Sequence, residues 1–493
     1  MAIKSYDYDQ VLKMVLAFNS EHKYENLLNI ILKNMMKITN SDGGTLYIRE
    51  ENMLHFSIIR NTSMGILQKS HDTINLPPIK LDKKNIENVS AYCAIKNETV
   101  VIDDVYEDKR FNFSGPKKYD ALTGYHSKSM LVLPLTAYLG KSEEVLGVIQ
   151  LINAIDPHTG EVIPYRDVFE PPLIPALANI AANTLNNLIH ISEVRSLLRS
   201  FVSAMVKAID ERSKYNSNHT HKVTRLCTAF AEHLNVNFPE GHPFHFDETN
   251  IEEITMAAML HDIGKITTPL EVMDKSTRLA DRLQIVLPLF DIKLLQVEND
   301  MLKGLISPKE HAEEHTRILN ARRLTETASS AGYINDEMYA EVQKLADITY
   351  KDAEGNESPI LSKADMESLS VRKGTLTQAE RELMQEHVNV TARILKNIAF
   401  KKHFKNVPKW AGSHHEFLDG TGYPLGLTDL PTEVCIITIM DIFEALTADD
   451  RPYKAAMPTE KALSILTEMA TEGKLHAELV ELFKNSNVWQ IVE

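Results

Sequence analysis

The sequence has little cysteine and no block of basic residues. Its 493 residues include only three cysteines, Cys93, Cys227 and Cys435, which are far apart in the chain. An odd, scattered set of this kind supports neither a disulfide framework nor a thiolate zinc site, and it fits a reducing compartment. The net charge of -15 argues against binding of nucleic-acid polymers or anionic lipid over a broad surface, because such binding needs a positive surface.

Long apolar runs are also missing. The longest candidate, residues 173–189, is interrupted by four asparagines, which would be costly in lipid, and the N-terminal residues lack the apolar core of a signal peptide. We therefore expect no membrane span and a cytoplasmic location. Glycine and proline are too scarce for a disordered or collagenous chain, and the length predicts about three folding units.

The first part of the chain has the pattern of an α+β domain. Apolar residues recur at helical spacing over 27–38 and are followed by short β-rich runs. These runs are Gly44–Arg49, Met53–Arg60, Thr99–Ile102, Ser129–Leu135 and Val145–Ile152. The text of the last two resembles the central strands of GAF sensory domains. This resemblance covers about residues 8–190 and implies a GAF-like domain over 1–190 with an unidentified small-molecule ligand; a dimerisation spacer is the alternative.

A connecting helix is predicted next, over 191–212. Apolar residues fall at positions 181, 185, 188, 191, 194, 198, 201, 205 and 208, alternating mostly between steps of three and four. This spacing favours a parallel coiled coil between two chains, so we expect a homodimer through this helix. A helix packed on its own domain is the alternative.

The remaining chain, 213–493, has helical periodicity almost throughout and predicts an all-α bundle. The stretch of about 276–371 differs from its flanks. It contains several helical segments and one polar loop, over 351–359, and it contributes little obvious chemistry. We interpret it as a helical insertion.

Four features of this second part carry chemistry. His261-Asp262 ends an apolar helix, and Asp441 interrupts another. His387 lies on the apolar face of a third helix, and His414-His415-Glu416 leads into the loop Asp419-Gly420-Thr421-Gly422-Tyr423-Pro424. Each histidine by itself would more often be a core residue. A buried carboxylate, however, must be paired, hydrogen-bonded or bound to metal.

Together with Lys265 and Arg451-Pro452-Tyr453, these motifs resemble the HD-GYP phosphodiesterases, a branch of the HD metal-dependent phosphohydrolases. The resemblance covers about residues 200–275 and 372–475. It implies a helical domain that hydrolyses cyclic di-GMP with two divalent metal ions, commonly iron or manganese. Imidazole and carboxylate ligands would also suit zinc, nickel or cobalt. A third metal would need an extra carboxylate near the first ligand histidine. None lies there, although Glu211 lies upstream, so we expect two metals.

The resemblance also implies residue roles. One metal would be held by His219, His261, Asp262 and Asp441, and the other by Asp262 as a bridge with His387, His414 and His415. His221 is the alternative to His219. Asp262 and Lys265 would be catalytic, and Lys265, Arg451, Lys454 and Tyr423 would bind the substrate.

The main departure from the family is that Asp262 and His387 lie 125 positions apart, with the insertion between them.

The function that the resemblance implies is hydrolysis of cyclic di-GMP to linear pGpG, with GMP as a further product, under control of the sensory domain. Two alternatives remain open. One is a phosphodiesterase for another cyclic dinucleotide or nucleotide, and the other is a catalytically weak, metal-binding signalling scaffold.

Overall fold

The computed structural model describes residues 8–69, 77–139, 142–213, 218–401, 404–448 and 456–492. The chain divides into two compact units, Met1–Leu198 and Arg199–Glu493. The boundaries drawn from the sequence, 1–190, 191–212 and 213–493, remain predictions. No helix in the described residues is long and apolar enough to cross a membrane.

The first unit is an eight-stranded antiparallel sheet with helices. Its helices are α1 Tyr8–Ser20, α2 Tyr24–Ile38, α3 Val89–Lys96, α4 Ser114–Thr123 and the start of α5, Leu173–Asp210. Its strands are β1 Ser41–Glu50, β2 Met53–Asn61, β3 Ile66–Lys69, β4 Ile79–Lys80, β5 Val100–Ile102, β6 Met130–Leu139, β7 Ser142–Ile155 and β8 Val162–Ile163. The order is β3-β2-β1-β7-β6-β5, with β4 beside β2 and β8 beside β7. The five predicted strands are all present, and the sequence missed β3, β4 and β8.

Both faces of this sheet are covered by apolar side chains. In β6, Leu131 and Leu133 belong to one buried cluster, whereas Met130 and Val132 belong to another. This alternation follows from the two-residue period of a strand. Helices α1, α2 and α5 supply the first cluster and α3 supplies part of the second. The predicted α+β fold class is confirmed.

Helix α5 contributes to both units. Ala181 and Leu185 are buried in the core of the first unit, and Val202 and Ile209 are buried in the core of the second. Between them, the side chains from Ile191 onward are exposed.

The second unit is mainly helical, as predicted. Its helices are α6 His219–Asn237, α7 Glu248–Leu260, α8 Leu270–Met273, α9 Arg282–Leu302, α10 Pro308–Ser330, α11 Asp336–Gln343, α12 Lys363–Leu369, α13 Gln378–Lys396, α14 Val407–Ala411, α15 Thr432–Thr447, α16 Thr459–Thr471 and α17 Ala477–Ser486. Its main core is formed by apolar residues of α6, α7, α14, α15, α16 and α17. This core supports the helix ends that carry the motif histidines.

The segment 276–371 has a hydrophobic core of its own, with Phe290, Ile318 and Leu369 among its members. It is not wholly helical, because β9 Thr349–Lys351 and β10 Glu357–Pro359 pair as a short hairpin where the sequence predicted a polar loop over 351–359. Arg278 ties the two ends of the segment together. Its fully buried guanidinium donates to the carbonyl of Val371 at 2.8 Å and to that of Ala328 at 2.9 Å.

Candidate metal centre

Seven of the predicted site residues converge in one place of the second unit. Six of them are buried and His415 is half-buried. They come from five parts of the fold: His219 begins α6, His261 and Asp262 follow α7, His387 lies on α13, His414 and His415 lie in the turn after α14, and Asp441 lies on α15. Because these parts are separated by long stretches of chain, only the helical bundle brings the side chains together.

Asp262 stands at the centre of the group. One carboxylate oxygen, Oδ2, is 3.4 Å from His219 Nε2 and 3.2 Å from His261 Nε2. The other, Oδ1, is 3.3 Å from His387 Nε2 and 4.0 Å from His414 Nε2. Each oxygen of this carboxylate therefore faces a different pair of imidazoles.

Asp441 also lies between the two groups of histidines. Its Oδ1 is 3.1 Å from His219 Nε2 and 3.8 Å from His261 Nε2, and its Oδ2 is 3.9 Å from His415 Nδ1. The sequence assigned Asp441 to the first group only. The structure places its second oxygen toward the other group as well.

Backbone carbonyls orient three of the imidazoles. Nδ1 of His261 is 2.6 Å from the carbonyl of Ala258, and His387 and His414 make the same contact with the carbonyl three residues earlier. Hydrogen bonds of this kind fix the ring and its tautomer, so that Nε2 is presented as a ligand. In all three rings Nε2 points toward the shared centre.

These inward-facing atoms lack hydrogen-bond partners. Nε2 of His261, His387 and His414 and Oδ1 of Asp262 are buried and have no hydrogen-bond partner among the described residues. Buried polar atoms are normally paired, so four such atoms in one place indicate a site for a group that is bound there. Imidazole and carboxylate donors are typical ligands of divalent transition metals. Two subsets of these residues have ligand atoms close enough together to hold one ion each. The first subset is His219, His261 and Asp262, and the second is His387, His414 and His415.

The electrostatics differ between the two subsets. Burial disfavours the charged form of His219 and His261, but the neighbouring Asp262 and Asp441 outweigh it and raise the pKa of both rings. Burial lowers the pKa of His387 and His414, and it lowers the pKa of His415 to about 4, so these rings are neutral ligands at pH 7. Burial by itself would raise the pKa of Asp262, but His261, Lys265 and His219 lower that pKa well below its usual value. The carboxylate is thus ionised at pH 7.

The close approach to α13 of residues 263–267, the turn after α7, depends on a glycine. The backbone N–H of Gly264 donates to Thr391 Oγ1 at 3.0 Å, and that hydroxyl donates to the carbonyl of His261 at 3.0 Å. A Cβ at position 264 would lie 2.6 Å from the backbone nitrogen of Thr391 and closer still to the carbonyl oxygen of His387. This close contact sets Asp262 against the histidine of α13.

The Gly-Tyr-Pro loop folds over Glu416. This carboxylate is fully buried and accepts hydrogen bonds from the backbone N–H groups of Leu425, at 2.7 Å, and Leu427, at 2.9 Å. A Cβ on Gly422 would lie 2.6 Å from the carbonyl oxygen of His415, so only glycine allows the loop to return this closely. The loop brings the ring of Tyr423 to 4.8 Å from that of His415.

Other predicted residues have distinct positions. Lys265 Nζ contacts Asp262 Oδ2 at 2.6 Å, and its side chain is mostly buried. His221 is exposed and is not part of the cluster, whereas His219 is buried in it. Arg451 and Lys454 lie outside the described residues.

Two acidic residues beside the site were missed. Glu444 is buried one turn after Asp441 and contacts Nδ1 of His219 through Oε2. The sequence signal that could have identified Glu444 is a second carboxylate one turn after Asp441 in an otherwise apolar helix. Asp210, at the end of α5, is buried and accepts a hydrogen bond from Thr220 at 3.2 Å. Burial raises the pKa of Asp210 to about 6.

Known protein families match both parts of the chain. A GAF domain model matches residues 24–184, and two HD domain models match residues 216–322 and 365–479. A solved GAF domain, from an Acinetobacter phosphoenolpyruvate-protein phosphotransferase, is 13% identical with a TM-score of 0.28, and the match covers 38% of this chain and 98% of that one.

Curated relatives are similar over shorter stretches. The 3'3'-cGAMP-specific phosphodiesterase 3 of Vibrio cholerae is 46% identical over 99 residues, which are 20% of this chain and 21% of that protein. The cyclic di-GMP phosphodiesterase of Thermotoga maritima is 34% identical over 122 residues, 23% of this chain and 30% of that one. The matches thus span about a fifth to a third of these relatives. The chain carries an N-terminal GAF domain followed by a helical HD region, as its sequence motifs predicted.

Proposed function

We propose that this protein is a metal-dependent phosphodiesterase of the HD-GYP type that hydrolyses cyclic di-GMP to linear pGpG, with GMP as the product of a second cleavage. The observation that carries the proposal is the central position of Asp262 between two groups of imidazoles, three of which have an inward nitrogen without a hydrogen-bond partner among the described residues. Relatives named as cyclic di-GMP and cGAMP phosphodiesterases support the substrate class.

Two divalent ions are proposed, iron or manganese first and zinc, nickel or cobalt as alternatives. His219, His261, Asp262 and Asp441 would hold one, and Asp262, His387, His414 and His415 would hold the other. Such ions, when bound, supply an activated water and positive charge for a phosphodiester. The two carboxylates would offset part of that charge, and backbone carbonyls hold three of the buried imidazoles in place.

Residues around the centre would position the substrate. Lys265 lies beside Asp262 and would meet the scissile phosphate, where its charge offsets the negative charge that develops. Tyr423 would form a wall of the pocket next to His415. Arg451 and Lys454 are proposed to contact the second phosphate or a guanine.

Product identification tests the function. Protein purified without oxygen and loaded with Fe²⁺ or Mn²⁺ is incubated with cyclic di-GMP, 3'3'-cGAMP and cyclic AMP, and the products are separated by chromatography. We expect pGpG from cyclic di-GMP. Faster cleavage of 3'3'-cGAMP would favour the second candidate, which the 46% identity to a cGAMP-specific relative supports. A metal-loaded protein that cleaves none of the three would contradict the enzyme and favour a scaffold.

Lys265→Met is expected to lower kcat by about 10²- to 10³-fold, because it removes a cation aimed at developing phosphate charge. Bound metal should stay near the wild-type amount, since Lys265 is not a proposed ligand. Elemental analysis and steady-state kinetics measure the two quantities, and exposed Lys409→Met is the matched control. Unchanged kcat would remove Lys265 from the mechanism.

Glu444→Gln is expected to weaken metal binding by about 10- to 100-fold, because the carboxylate holds His219 in place through Nδ1. Competition with a chelator of known affinity measures this change without reference to activity. Glu468→Gln, on the exposed surface of α16, is the control. Equal affinities in the two variants would contradict the positioning role.

We propose a sensory domain over 1–190, a connecting helix over 191–212 and a catalytic domain over 213–493 with an insertion at about 276–371. Along α5, the seam residues Ile191, Val194 and Phe201 are 51%, 64% and 65% exposed, which supports pairing with a second chain. A ligand of the GAF domain would then act through this helix.

Phe201→Glu is expected to weaken that dimer, because the substitution buries two like charges in the seam. Sedimentation equilibrium should show a dissociation constant raised about tenfold or more. Ser196→Glu places the same charge on the side of the helix away from the seam and is the matched control. A wild-type protein that is monomeric at all concentrations would contradict the connecting-helix dimer.

A further inference from the structure

The outward face of α9 carries an apolar stripe that the rest of the described chain does not cover. Ile285, Ile292, Leu295 and Leu302 are 54%, 40%, 65% and 76% exposed. These large side chains lie along one 21-residue helix. Singly exposed apolar residues are ordinary, but a contiguous row on one helix indicates a surface that binds a partner.

The stripe is not the face that holds α9 in its own domain. Val286 and Phe290 point to the opposite side and are buried in the hydrophobic core of segment 276–371, and Val297 is buried on the same side. Helix α9 therefore has two apolar faces, and the domain core accounts for only one of them. A surface helix that needed only to cover its core would be polar on the second face.

The spacing of the exposed face identifies the partner as another helix. Ile285, Ile292, Leu295 and Leu302 fit the alternating steps of three and four of a coiled-coil seam. The two other seam positions hold Pro288 and Asn299. Ile285 and Ile292 take the a positions, and Leu295 and Leu302 take d positions. In parallel coiled coils, isoleucine at a with leucine at d favours a pair of helices over a larger bundle.

Asn299, at the third a position, and the flanking charges favour a parallel pair of identical helices. In a parallel pair Asn299 meets its own copy, whereas in an antiparallel pair it faces apolar d residues and loses its hydrogen bonds. Glu298 at g lies opposite Lys303 at e of the other chain in the parallel arrangement. Neither residue has an ion pair within the part of the chain that the structure describes.

We propose that α9 pairs with α9 of a second copy of this chain as a short parallel coiled coil, centred on Ile292–Leu302. The helix is already folded on its own core, so pairing does not carry the cost of helix nucleation that limits short isolated coiled coils. Segment 276–371 is then a dimer contact of the helical unit. This contact is distinct from the seam on α5 and does not depend on the proposed enzymatic function.

Disulfide trapping tests the pairing in the full chain. Asn299→Cys is made in the Phe201→Glu background, so that the α5 seam does not hold the dimer. The native cysteines are buried and do not interfere. On mild oxidation we expect a covalent dimer, because a residues of parallel partners face each other. Glu313→Cys, on the exposed side of α10, is the control and should stay monomeric.

Charge exchange tests the register. Glu298→Lys and Lys303→Glu should each weaken the dimer, and a mixture of the two variants should form heterodimers in preference to either homodimer. Leu295→Glu should raise the dissociation constant on the order of a hundredfold without affecting folding, since this side chain is exposed. The proposal would be overturned if Asn299→Cys cross-linked no more than the control. It would also be overturned if none of these substitutions changed the dissociation constant of the dimer.

Discussion

Asp262→Asn is expected to abolish phosphodiester hydrolysis and to deplete the metal centre, which is the largest effect predicted for a single substitution. The carboxylate faces imidazoles from both groups, so its loss removes one ligand from each proposed ion. The amide is neutral, and the remaining site then lacks half of its negative charge. We expect kcat to fall on the order of 10³-fold or more and bound metal to fall below one ion per chain.

Elemental analysis and activity assays of the same preparation measure both effects. Asp347→Asn is the matched control, because this aspartate is exposed and lies away from the cluster. Full metal content with lost activity would restrict Asp262 to a catalytic role. Full activity would contradict the assignment of the whole centre.

Gly264→Ala is expected to destabilise the helical unit by about 3 kcal/mol, because the added methyl group cannot fit between the chain and α13. Its Cβ would lie 2.6 Å from the backbone nitrogen of Thr391, and backbone atoms cannot move aside as a flexible side chain can. Any relief must shift α13, and with it His387, away from Asp262. Stability and metal affinity should therefore fall together.

Urea unfolding followed by tryptophan fluorescence measures the change. The chain has two tryptophans, Trp410 and Trp489, and both lie in the helical unit, so the signal reports on that unit by itself. Gly332→Ala is the control, because nothing lies within 4 Å of a Cβ built there. Equal unfolding midpoints for the two variants would contradict the close packing at Gly264.

Much of the fold followed from local patterns. The apolar periods of 27–38 and of the two long strands predicted the α+β unit, because a strand buried on both faces and an amphipathic helix each leave a regular trace. The short strands β3, β4 and β8 left none, since two to four residues are too few to establish a period. The pairing of β9 with β10 was missed for the same reason.

The structure brings seven of the predicted site residues together, but their contacts were not predictable from the sequence. Asp262 and His387 are separated by 125 positions, and no local rule fixes the distance between them. Whether His219 or His221 enters the cluster depends on where α6 begins and which way it is turned. The contact between Glu444 and His219 also depends on the packing of α6 against α15.

The sequence by itself determined the chemistry that this protein can bring to a site, because residue types and short spacings specify donors, charges and helix faces. Only the tertiary structure decided which donors meet, that Asp262 divides its two oxygens between two groups of histidines, and that α9 is apolar on a second, uncovered face. The physical reason is that composition and periodicity are local properties of the chain. Coordination geometry and surface exposure depend instead on contacts between segments that are distant in sequence.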